Sequence, residues 1–174
     1  MTDQVTVQFN VNGHPVNTTV PTDLPLVDFL REELGLSGTR LCCGIGVCKA
    51  CTVAARRVPG SQAQPLLACS TPVALLQGQS ITTVEGTGSM VQPSKVQQAF
   101  LDHFAFQCGY CTPGFVMATE MLLGRLRAQP VRREQLDAAI EDAVGQHICR
   151  CTGYARYHQA IRAVVLAEKG LVTA

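Results

Sequence analysis

The chain has 174 residues, 47% of them hydrophobic and 16% charged, with a formal net charge of +1. This apolar content excludes an intrinsically disordered chain, and the near-neutral charge excludes both a basic field for nucleic acid and an acidic tail. No uninterrupted apolar run reaches the ~18 residues of a membrane helix, so no direct membrane span is expected.

Met1-Thr2-Asp3-Gln4-Val5-Thr6 has neither a basic nor an apolar leader region, so a cytoplasmic product is expected. Val5, Val7, Phe9 and Val11 alternate with Thr6, Gln8 and Asn10, the period of a half-buried strand. Asn12-Gly13 is a strong hairpin signal, and Val16 to Val20 reads as the return strand, ended by Pro21. Leu26, Phe29, Leu30 and Leu34 fall at helical spacing, and Gly35 stands where a left-handed glycine stops a helix. Residues 38–51 form a loop rich in Gly and Cys. Thr52 to Val58 is a candidate strand, Pro59-Gly60-Ser61 a turn, and Ile81 to Val84 a last short strand. Strands with one inserted helix predict an α+β unit over residues 1–86.

The composition changes at Gly86-Thr87-Gly88-Ser89, and residues 87–174 read as helices. Ser94-Lys95-Val96-Gln97 is a capping box, with Val96, Ala99, Phe100 and Phe104 on one face. Thr112-Pro113 sets a cap residue before an N1 proline and opens a helix through Met117, Met121 and Leu122. Pro130 separates a third helix, with Leu136, Ala139, Ile140 and Ala143 inward. A fourth carries Tyr154, Tyr157, Ile161, Val164 and Val165. Four helices of this length predict a bundle.

Cysteine is the anomaly, nine residues in a chain with no sign of export, where metal is the expected use. The first set is Cys43-x4-Cys48-x2-Cys51, then Cys69, the plant-type ferredoxin spacing for a [2Fe–2S] cluster. Three thiolates must converge from one short loop, whose backbone curls so that N–H groups face the sulfurs, and Gly44 and Gly46 supply positive φ for that curl. Zinc prefers paired Cys-x2-Cys knuckles, which this run does not match. The second set is Cys108-x2-Cys111 and Cys149-x-Cys151, and by ligand chemistry alone it suits zinc or a second cluster equally. Its cysteines precede two helix N-termini, where the dipole favours anionic sulfur. Cys42 reads as a small buried residue, or as a ligand exchangeable with Cys43.

Four motifs then carry a resemblance: Leu41-Cys42-Cys43-Gly44-Ile45-Gly46-Val47-Cys48-Lys49-Ala50-Cys51-Thr52-Val53; Ala68-Cys69-Ser70-Thr71-Pro72-Val73; Gln107-Cys108-Gly109-Tyr110-Cys111-Thr112-Pro113-Gly114; and Cys149-Arg150-Cys151-Thr152-Gly153-Tyr154. From about Val5 to Val164 the chain resembles the small iron–sulfur subunit of the xanthine oxidase and aldehyde oxidoreductase family of molybdenum hydroxylases. The resemblance implies a β-grasp, ferredoxin-like domain holding one [2Fe–2S] cluster on Cys43, Cys48, Cys51 and Cys69. It implies a four-helix domain holding the other on Cys108, Cys111, Cys149 and Cys151. It further implies a large subunit whose molybdopterin lies beside the second cluster, with Gln107 and Cys151 matching positions that contact the pterin. The onward acceptor is a flavin (FAD) subunit in many members and a cytochrome c subunit in others.

Four positions depart from the family pattern. Cys42 and Lys49 stand where glycine is usual, and the Lys49 cation is expected to raise the potential of the nearby cluster. Gln146-His147 replaces Gly-Asn. A Rieske site needs two histidines in Cys-x-His order, so His147 reads as a solvated surface residue.

No catalytic residue is expected. Gly44-x-Gly46 lacks the third glycine of a dinucleotide fingerprint, and His14, His103 and His158 are scattered without a nucleophile partner. The implied role is electron transfer within an oxidoreductase complex acting on an aldehyde or an N-heteroaromatic compound. A free-standing two-cluster ferredoxin and a zinc-stabilised interaction module are the rivals. The helical unit and Gln107 argue against a lone carrier. A complex exported on a partner's signal is the alternative to the cytoplasm.

Overall fold

Asn12 and Gly13 both sit at positive φ, 52° and 84°, as a tight two-residue hairpin turn requires. In the computed structural model, which describes residues 3–174, they join β1 (Gln4–Val11) to β2 (His14–Pro21) in the register Val11↔His14. Met1 and Thr2, the start of the leader reading, lie outside the described residues. Asn12 also pins the hairpin tip. Its Nδ2 donates to the Thr83 hydroxyl at 2.9 Å and its Oδ1 accepts from the Thr83 N–H at 2.8 Å.

Three further strands complete the sheet: β3 (Thr52–Arg56), β4 (Gln64–Leu67) and β5 (Ser80–Thr82), in the order β2-β1-β5-β3-β4. Only β1 and β5 run parallel among these neighbours. Strand β4 has no counterpart among the expected elements, and it contains Pro65. Proline removes a ladder donor, so strands tolerate it only at an edge, and β4 is an edge. Pro15 and Pro21 lie on β2, the opposite edge. The expected last strand is shorter than Ile81 to Val84, since Val84 opens a 3-10 turn, Val84–Gly86.

The inserted helix begins as α1 (Leu26–Asp28) and widens into a π-turn, Phe29–Glu33, where the Leu34 N–H reaches the Phe29 carbonyl at 3.3 Å. Leu26, Val27, Phe29 and Leu30 are all buried against the sheet with Val7, Phe9, Val11, Val53, Val73, Leu76 and Ile81. Gly35, at φ 66°, stops the helix as expected.

The second unit holds α2 (Lys95–Asp102), α3 (Thr112–Ala128), α4 (Leu136–Val144) and α5 (Ala155–Ala167). A short parallel pair, β6 (Val131–Arg132) with β7 (Val172–Thr173), closes it. The capping box forms. Ser94 Oγ accepts from the Gln97 N–H at 3.1 Å and Gln97 Oε1 accepts from the Ser94 N–H at 2.8 Å. Val96, Phe100, Phe115, Leu122, Leu126, Ile140, Tyr157 and Ile161 form a second apolar core. Two positions differ from expectation. Phe104 lies beyond α2 at φ 46° and is exposed, because the chain reverses there and buries Ala105 instead. On α4 the inward stripe is Leu136, Ile140 and Val144, with Ala139 and Ala143 only half-buried.

Candidate metal centres

The loop 38–51 curls through three left-handed residues, Gly44 (φ 70°), Gly46 (φ 74°) and Lys49 (φ 62°). At Gly46 a side chain also meets Leu67 and Ser70, at 3.2 Å each, whereas the space at Gly44 is open and only the dihedral demands glycine. The curl aims backbone N–H groups of Cys48, Ile45 and Val47 at the Cys43 sulfur, which lowers its pKa to about 6. Burial pushes the Cys51 thiol the other way, up to about 12, despite a 3.5 Å bond from the Cys69 N–H. Metal binding would displace that proton, because thiolate is the form that ligates. Cys42 is exposed, which corrects the reading of it as a buried residue. The loop needs Cys43 turned inward, so its neighbour faces out.

The second set gathers where two helices start. Cys111 is the N-cap residue of α3, and its thiol meets that of Cys149, which precedes α5. Burial raises Cys111 to about 11. Burial also opposes the Cys149 thiolate, but hydrogen bonds from the Thr152 hydroxyl, at 3.1 Å, and the backbone there outweigh it and the net shift is downward. Thr112 does not cap α3. Its hydroxyl bonds the Tyr157 phenol at 2.9 Å, which supplies that buried group with a partner. Tyr157 also lies 3.4 Å from Cys111 Sγ and stacks on Phe115 at 4.1 Å. Cys108 and Cys151 are exposed, with their sulfurs 3.6 Å apart, and Gln107 is exposed beside them.

The thiols thus meet in pairs: Cys43 with Cys48, Cys51 with Cys69, Cys108 with Cys151, and Cys111 with Cys149. Among the described residues no three His, Cys, Asp or Glu side chains converge on one ion position. A single tetrahedral zinc needs four ligands about one point. Two pairs per quartet fit a two-iron rhomb, with two thiolates to each iron.

The two ligand sets adjoin. The Ile148 N–H donates to the Cys48 carbonyl at 3.1 Å, and the Tyr110 hydroxyl donates to the Leu41 carbonyl at 2.5 Å. His147 is buried at this junction, with 7% of its surface exposed, which overturns the solvated reading. Burial, and then the nearby Lys49 charge, lower its pKa to about 4, so the ring is neutral. Its burial depends on the first unit packing over it, which no local pattern announces.

Comparison with known proteins agrees with this geometry. Residues 9–74 match the 2Fe-2S iron-sulfur cluster binding domain, and residues 83–162 match the [2Fe-2S] binding domain. The chain is 39% identical to one of the subunits of nicotinate dehydrogenase from Pseudomonas putida, over 91% of this chain and 94% of that one. The chain belongs to the small iron–sulfur subunits of the molybdenum hydroxylases. The alpha chain of isoquinoline 1-oxidoreductase from Brevundimonas diminuta is 38% identical, over 89% of this chain and 94% of that one. Among solved structures, quinoline 2-oxidoreductase from Pseudomonas putida 86 matches with a TM-score of 0.78 and 31% identity, over 94% of this chain and 95% of that one. The aldehyde oxidoreductase of Desulfovibrio desulfuricans matches with a TM-score of 0.80 and 30% identity, over 97% of this chain but 18% of that one. In that protein the matching region is one part of a much longer chain. Membership makes this an electron-transfer subunit of an oxidoreductase complex, with two [2Fe–2S] binding domains and the molybdopterin in a large partner subunit. Among the described residues no helix is long and apolar enough to cross a membrane.

Proposed function

We propose that Cys43, Cys48, Cys51 and Cys69 hold one [2Fe–2S] cluster within residues 1–86, and that Cys108, Cys111, Cys149 and Cys151 hold the other within residues 87–174. The observation that carries this reading is the division of each quartet into two thiol pairs. Bound there, the clusters supply one-electron carriers. The chain's own residues then position them and set the surrounding charge. Backbone N–H groups of the Gly44–Gly46 curl face the first site. Thr152 and Tyr157 donate toward the second.

Electrons enter at the second site, where Cys108, Cys151 and Gln107 lie exposed and Gln107 and Cys151 contact the pterin of the large subunit. They leave from the first, toward an FAD-binding subunit or a cytochrome c subunit. The substrate, oxidised by two electrons with water supplying the oxygen, is an aldehyde or an N-heteroaromatic compound. The relatives of similar length are named for nicotinate, isoquinoline and quinoline, which favours the heteroaromatic class. The complex works in the cytoplasm, or in the periplasm when a signal-bearing partner carries it there. A test is to add an N-heteroaromatic substrate anaerobically to the purified complex. The clusters' visible absorption is expected to bleach. If the molybdenum centre is reduced while these bands persist, the relay role is wrong.

A further inference from the structure

His147 is the one buried histidine among the described residues, and no ligand set uses it. Its Nε2 lies 3.4 Å from the Thr52 hydroxyl, in the residue after Cys51. That hydroxyl has a single proton, and it goes to the Lys49 carbonyl at 2.7 Å. The hydroxyl can then only accept from the ring, which assigns the proton to Nε2. Nδ1 then carries no proton and, though the Val144 and Gly114 backbone lies toward the ring, makes no hydrogen bond. An apolar side chain of similar size would fill the same space beside Phe115, whose ring is centred 5.0 Å away, without burying a bare nitrogen. What the imidazole adds is an N–H that reaches across the junction between the two units.

We propose that His147 is a positioning residue: through Thr52 it fixes the separation of the two ligand loops and so sets how strongly the two clusters interact. Its place in the chain is suited to this. The next residue, Ile148, makes the 3.1 Å backbone bond to the Cys48 carbonyl, and Cys149 follows directly. The strut from Nε2 to Thr52 and Lys49 therefore holds the segment 147–149 against the first ligand loop from a second side. Apart from it, the Ile148 N–H is the one hydrogen bond that residues 147–149 make to that loop among the described residues. The inference rests on the eight-cysteine ligand assignment proposed above.

The test uses the complex with its large subunit, reduced with dithionite and examined by low-temperature electron paramagnetic resonance. His147→Leu keeps volume and removes the N–H. Thr52→Val removes the same link from the other side. His147→Gln retains a donor. With iron and sulfide content unchanged, the Leu and Val variants are expected to keep each cluster's own g values. They are expected to lose part of the splitting that arises between the two reduced clusters, and to show several-fold slower electron exchange between them. The Gln variant restores both, and the Leu/Val double variant loses no more than either single one. Wild-type splitting and exchange rate in His147→Leu overturn the proposal. If that variant loses a cluster, wild-type values in Thr52→Val overturn it. A wild-type complex without two cluster signals overturns the ligand assignment and this proposal together.

Discussion

At Lys49 the backbone holds φ 62°, a dihedral natural to glycine, yet the residue carries a long cationic side chain. Left-handed backbone costs a side-chain-bearing residue roughly 1–2 kcal/mol. Lys49→Gly is therefore expected to raise the melting temperature of the complex or leave it unchanged, while removing a positive charge beside the first cluster. A redox titration should show that cluster's midpoint shifted to lower potential, and by more than the second. The cysteines separate as sharply. Cys48→Ala is expected to abolish the ferredoxin-type resonance signal and leave the other, whereas Cys42→Ala, at an exposed position, leaves both. Loss of a signal on changing Cys42 would show that the ligand is not Cys43. Spacing alone points to the first quartet, whereas the second quartet is proposed from the motifs and the family they resemble, since its ligand chemistry suits zinc equally. The place of His147 was not legible. Its burial is imposed by Thr52 and the first unit, nearly a hundred positions away.

Among the elements, the start of α3 is the most constrained. A Cβ on Gly114 would run into the Lys49 carbonyl and the Ala50 backbone, neither of which can swing aside. Gly114→Ala is expected to push α3 off the ligand loop and cost about 1–3 kcal/mol. Thermal melts of the purified complex should show this as a drop of roughly 2–4 °C per kcal/mol, with the cluster-to-cluster splitting altered as well. Local chemistry made several elements readable in advance. The Asn12-Gly13 turn, the Ser94–Gln97 box and the Gly35 stop each encode their geometry within four residues. Strand β4 escaped, and its Pro65 argues against a strand until its edge position is known. Phe104 escaped because helical spacing continues past the point where the chain turns toward Cys108.

For the whole molecule, two apolar cores, one sheet-based and one helical, meet along the ligand loops. Metal analysis of the native complex is expected to give about four irons and matching acid-labile sulfide per copy of this chain. Zinc in place of iron, with no sulfide, would contradict the paired-thiol geometry. That a sheet-based part precedes a helical one was legible from the period-2 pattern early in the chain and the helix caps later in it. The adjacency of the two ligand sets was not, since it rests on the Ile148–Cys48 bond and on α3 lying against β3.

Both rims of the sheet end in strands that contain proline, β2 and β4. Each proline leaves a gap where an incoming backbone would look for a hydrogen to accept, so neither rim invites a foreign strand to add itself. A chain synthesised apart from its large companion can thus await assembly without templating a growing fibre.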